Sequence, residues 1–292
     1  MLPIRIQPEA LTGPIRTGAL TGYESAVEAI GAVMVGELGL PLPGQFTVFV
    51  FPTPGGYAEA LVQLGGVSPA RAVELAEHSV GLARPGRLLL NDHALRGARR
   101  SAWLGLPTHE LTHLAQYELS GGRRGRSEQW LREGMAGLVT ARVLERLGQG
   151  TFDHRREQAC QVARGLPALR EAPPNLVDLG NPKGWEARAL GAEGRLVYRL
   201  AFLLTEDLIR RRGFESLIAY FQAFADSDDR LGHFRRVFGL SLKEFERAAL
   251  ARIREGAESC SPVLLTESLR GPPPGGELGV LDELEENPWD PD

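Results

Sequence analysis

LPTHELTHLAQYEL, residues 106–119, decides how this chain is read: His109 and His113 stand four residues apart, with Glu110 beside the first. On an α-helix, positions four apart are offset by only about 40° and lie roughly 6 Å apart along the axis, so the two imidazoles can converge on one ion. Glu110 is turned about 100° from His109, where its carboxylate can take a proton from water at that ion without ligating it.

Two imidazoles do not complete a catalytic metal site, because zinc in such sites usually has three protein ligands and one open position. The helix carrying the motif runs from about Trp103 to Leu119 and is stopped by Gly121 and Gly122. A second helix begins near Ser127, a good N-cap, and continues through WLREGMAGLVTARVLERL to Gly148. If the two are antiparallel, each leg from the turn is roughly 9 Å, which returns Glu133 to the level of His113. Gly134 and Gly137 carry no bulky side chain and would let the two ligand helices approach closely. The sequence therefore nominates His109, His113 and Glu133 for a Zn2+ ion.

Outward from this pair, the N-terminal third alternates strand and helix signals. FTVFVF (residues 46–51) is β-branched and aromatic between PLPG and PTPGG, and reads as a buried strand. SPARAVELAEH places Ser68 at an N-cap and Pro69 at the first helical position. GRLLLND (residues 86–92) reads as another strand. After the second ligand helix, residues 167–184 carry Pro173, Pro174, Gly180 and Pro182 and read as a loop. Helices follow in GRLVYRLAFLLTEDLIRRR, FESLIAYFQAF and SLKEFERAALARI, the last opened by a Ser241/Glu244 capping box. The expected architecture is α+β: a small N-terminal sheet with flanking helices over residues 1–103, packed on a mainly helical lobe over 104–260 that carries the zinc site. Residues 261–292, with GPPPGG and an acidic run, read as a disordered tail.

THELTH followed about twenty residues later by WLREGMAG resembles the gluzincin metallopeptidases, and the compact layout is most similar to the peptidase MA-like group. The specific part of the match is residues 106–140. The resemblance implies a zincin-like fold, His109, His113 and Glu133 as zinc ligands, and Glu110 as general base. It also implies an edge strand ahead of the motif helix, for which GRLLLND is the matching segment. A tyrosine on a later helix often steadies the oxyanion in that family. Tyr198, on the first long helix after the proline-rich segment, is the candidate, with Tyr117 and Tyr220 as competitors. The chain departs from the family at Gly137, where many members have a carboxylate orienting a zinc histidine, so another group must take that role. It also lacks a GAMEN-like amine anchor, which favours an endopeptidase over an aminopeptidase.

Composition sets the outer bounds. The net charge is −4 over 292 residues, which argues against a main role in nucleic-acid binding. Residues 261–292 hold eight acidic side chains and one arginine, so they carry −7 and leave about +3 on the rest. Arginine clusters, including Arg123, Arg124 and Arg126 between the ligand helices, read as solvated faces. His78, His93, His154 and His233 read as isolated. Cys160 and Cys260 form no metal or disulfide pattern, which points to a reducing compartment. With no basic leader and no long apolar run, the expectation is a cytoplasmic protein without membrane contact. The functional expectation is a zinc metallopeptidase acting on a peptide or protein substrate. The rivals are a noncatalytic binding or scaffold protein that retains the fold and metal site, and a nucleic-acid-associated regulator.

Overall fold

Strand β1 (Ile4–Ile6), a short helix α1 (Pro8–Leu11) and helix α2 (Tyr23–Gly36) lead into β2 (Phe46–Phe51), the FTVFVF segment. Helices α3 (Pro54–Gln63) and α4 (Pro69–His78) follow, then β3 (Gly81–Arg84) and β4 (Arg87–Asn91). The computed structural model describes residues 3–12, 20–123, 125–165, 175–189 and 194–255. The fold is α+β, with one four-stranded sheet in the order β1-β2-β4-β3 and helices making up most of the remainder.

The sheet is buried on both faces, and the alternation of side chains divides them. Phe46, Val48, Leu88 and Leu90 face the main core, whereas Phe51 and Leu89 join a smaller cluster with Tyr57, Leu61, Ala72 and Ala76 from α3 and α4. β2 and β4 pair in parallel, so a crossover must join them, and α3 and α4 supply it.

The expected edge strand is corrected here. Residues 87–91 lie inside the sheet between β2 and β3, and the edge is β3, the GLAR segment. β3 pairs antiparallel to β4 through a turn at Gly86, which adopts φ 70°.

Helix α5 (Arg100–Leu119) is the motif helix, and α6 (Gln129–Arg146) carries WLREG. Between them, Gly121 and Gly122 take φ of 64° and 78°, the left-handed conformation that ends a helix cheaply only at glycine. Gln116 of α5 touches Arg132 of α6, and Gly105 faces Thr140 and Leu144, so lower numbers on one helix meet higher numbers on the other. The helices are therefore antiparallel, as the ligand spacing requires. Ser127 is not the N-cap: Glu128 occupies that position, and the Ser127 hydroxyl accepts a hydrogen bond from Arg132 Nη1.

Gly134 and Gly137 do not serve the contact between the ligand helices. Both face α10 (Gly194–Arg212), which follows α7 (Phe152–Gly165), α8 (Leu176–Leu179) and α9 (Pro182–Ala189). A methyl at position 134 would overlap Thr205 Oγ1 and the carbonyl oxygen of Ala201, so that glycine lets α10 lie directly against α6. The segment read as a loop over 167–184 holds α8 and the start of α9; its residues 167–174 lie outside the described residues. Asn175 caps α8 by accepting the N–H of Val177.

Helices α11 (Glu215–Gln222), α12 (Arg230–Phe238) and α13 (Leu242–Glu255) close the fold. The capping box on α13 forms as expected, with Ser241 N–H donating to Glu244 and Glu244 N–H to Ser241 Oγ. The tail read over 261–292 lies outside the described residues. Among the described residues, no helix is long and apolar enough to cross a membrane. The reading of two unpaired cysteines is corrected: Cys160 is buried on α7 and disulfide-bonded. That removes the ground for inferring a reducing compartment.

Candidate metal centre

Helix α5 brings His109 and His113 to the same face, and the antiparallel return of α6 sets Glu133 opposite them. His109 Nε2 and Glu133 Oε2 are 3.1 Å apart, His113 Nε2 and Glu133 Oε2 3.6 Å, and the two Nε2 atoms 3.2 Å. Ligands about 2.05 Å from a tetrahedral zinc stand about 3.3 Å from one another, so these three atoms match one face of such a polyhedron. Among the described residues this is the one group of three or more His, Cys, Asp or Glu side chains placed to hold a metal.

The hydrogen bonds behind the ligands fix which atoms face inward. Gln116 Nε2 donates to the Arg132 carbonyl at 3.0 Å, which leaves Gln116 Oε1 to accept from His113 Nδ1–H, also at 3.0 Å. His113 Nε2 therefore presents a lone pair toward His109 Nε2 and the Glu133 carboxylate. Gln129 Nε2 donates to Glu133 Oε1 at 2.8 Å, so the other oxygen, Oε2, is the one aimed at the histidines. Gln116 and Gln129 are the orienting groups that the glycine at position 137 cannot provide. Neither was singled out from sequence. The signal was present in their helical spacing, because Gln116 is three residues after one ligand and Gln129 four before another.

Burial by itself would raise the Glu133 carboxyl and lower the His113 imidazolium. Their mutual charge and hydrogen bond win, holding Glu133 well below the usual carboxylate range and raising His113. Such a cluster demands a positive charge between its members, which either a proton or a metal ion supplies.

Glu110 is 7% exposed and packs against Gly81 of the edge strand β3. Tyr198 stands beside His109, its ring centroid 6.4 Å from that of His109 and 5.1 Å from Trp185 in an edge-to-face arrangement. Burial, then the negative charge of Glu133, raises the Tyr198 phenol above its ordinary value. The residue as a whole stays 41% exposed, so part of its ring faces solvent. The competing tyrosines are engaged elsewhere. Tyr220 accepts the backbone N–H of Glu128 in the core, and the Tyr117 ring lies beneath the Arg132 guanidinium.

The remaining candidates read as scaffold. Arg123 reaches Ala225 O and Asp228, and Asp228 also accepts the backbone N–H of Arg126, so this loop is tied to the segment that joins α11 and α12. His233 is buried against Ser227 and Arg236, and His154 pairs with Gln158 along its own helix. No family model, curated protein or solved structure matches the chain.

Proposed function

We propose that this protein is a gluzincin-type zinc metallopeptidase with a zincin-like fold, in which His109, His113 and Glu133 hold the ion and Glu110 is the general base. The observation that carries this reading is the set of ligand-atom separations of 3.1, 3.2 and 3.6 Å, formed by lone-pair atoms that converge from two helices. Two imidazoles and one carboxylate suit zinc, and the open fourth position is what separates a catalytic from a structural site. A bound zinc supplies the Lewis acid, polarising the scissile carbonyl and lowering the pKa of water.

The side chains supply the rest. Glu110, beside the first ligand, takes the proton from the attacking water and returns it to the leaving amine. Tyr198, protonated at neutral pH like any tyrosine, donates a hydrogen bond to the oxygen that becomes negative as the carbonyl is attacked. The substrate is a peptide or protein segment.

The test is metal content by elemental analysis together with hydrolysis of a quenched-fluorescence peptide pool. Wild type is expected to carry about one zinc per chain and to cleave. Glu133→Ala loses the metal, and Glu110→Gln keeps it while losing cleavage. A wild type that holds no zinc after reconstitution sinks the reading, as does a Glu110→Gln variant that cleaves at the wild-type rate.

A further inference from the structure

Gly81 opens the edge strand β3, pairs with Leu90 of β4, and lies directly against the side chain of Glu110. A methyl built on it would stand 2.7 Å from Glu110 Cγ, 3.1 Å from Cδ and 3.3 Å from Oε1. The first of these is closer than carbon atoms approach one another, so the two groups cannot share that space. Backbone conformation does not explain the glycine, because Gly81 is not among the glycines with positive φ. Glycine within a strand otherwise weakens it, and marks a place where another group must come close.

The backbone at Gly81 is also held from behind. Ser79 Oγ donates to the Gly81 carbonyl at 2.9 Å, which spends the hydroxyl's one hydrogen. Tyr57 OH, 3.1 Å from Ser79 Oγ, must therefore be the donor in that second bond. Tyr57 is fully buried among the residues of the smaller core cluster. With β4 on one side and this two-step clamp behind, the strand is poorly placed to retreat, so added bulk at position 81 moves Glu110.

We propose that Gly81, clamped by Ser79 and Tyr57, is the positioning residue for the Glu110 carboxylate, and that the absence of a side chain there is what lets Glu110 lie beside the ligand histidines. The catalytic consequence rests on the metallopeptidase reading; the contact itself does not.

The experiment is a thermal-unfolding cycle on the full chain, comparing wild type, Gly81→Ala, Glu110→Ala and the double variant. Glycine-to-alanine changes at sites of ordinary backbone geometry tend to stabilise by restricting the unfolded chain, so a loss at Gly81 has to come from crowding in the folded state. Gly81→Ala is expected to lower the midpoint by about 4 °C with Glu110 in place, and not to lower it on the Glu110→Ala background. The same shift in both backgrounds overturns the proposal. On the wild-type background, Gly81→Ala is further expected to retain zinc and to lower kcat on the peptide pool about 100-fold at nearly constant KM, since a general base misplaced by about 1 Å costs that much. Unchanged kcat also overturns it. If wild type neither binds zinc nor cleaves, the peptidase reading fails separately, and the unfolding cycle alone decides whether Gly81 sets Glu110.

Discussion

Gln116 and His113 form a tautomer lock: the glutamine amide is oriented by the Arg132 carbonyl, and its oxygen accepts the imidazole Nδ1–H at 3.0 Å. The lock directs His113 Nε2 toward Glu133, where it carries either a proton or, in the proposed metal centre, an ion.

Gln116→Leu removes both bonds while preserving much of the volume. Zinc affinity is expected to fall 10- to 100-fold, the usual cost of losing an orienting partner, with about 1 kcal/mol of stability lost with the extra hydrogen bond to the Arg132 carbonyl, which keeps its partner along the helix. Competition with a chromogenic chelator measures the first and urea unfolding the second. Wild-type affinity in Gln116→Leu would mean the imidazole is oriented by packing alone.

Tyr198→Phe is expected to keep zinc and fold while kcat on the peptide pool drops by about 100-fold, the scale of one oxyanion donor. The Tyr198 ring packs edge-to-face with Trp185, and that ring contact survives removal of the hydroxyl. A KM change at constant kcat would recast Tyr198 as a substrate contact.

Cys160 is disulfide-bonded, and the sequence holds one other cysteine, at position 260, outside the described residues. A native disulfide is worth about 2–5 kcal/mol, mostly by restricting the unfolded chain. Tryptic mapping without reductant should recover the linked peptide, and dithiothreitol should lower the unfolding midpoint. Free thiols at both positions in protein purified under oxidising conditions would count against the bond.

The parts of this molecule that were legible in sequence are those with local causes. The glycine stop after Leu119, the HExxH spacing and the Ser241/Glu244 box each act within one or two turns, and each is found where expected. What escaped depends on partners far along the chain. GLAR is too short to show a strand period and becomes a strand by pairing with β4. The use of Gly134 is fixed by α10, some seventy residues on, and not by the neighbouring ligand helix. Cys160, far from the other cysteine in sequence, has no local spacing that announces its disulfide.

Glu128, the N-cap residue of α6, is fully buried, and its pKa is raised to about 7, chiefly by burial and only partly countered by Arg230. Its Oε1 lies 2.9 Å from Arg230 Nε, and that charge and the Trp130 indole N–H offset part of the cost of burial. Because the folded-state pKa lies above the ordinary value of 4.5, the folded protein binds more protons than the unfolded chain between the two. Stability from this group is therefore full below pH 4.5, falls as pH rises, and has been lost once pH passes about 7. The loss is on the order of 3 kcal/mol. Glu128→Gln cannot ionise, so its stability relative to wild type should grow from near zero at low pH to a plateau above neutrality. Urea unfolding of both proteins across that range measures the difference; a gap that stays constant with pH would show that Glu128 is already ionised in the folded state throughout.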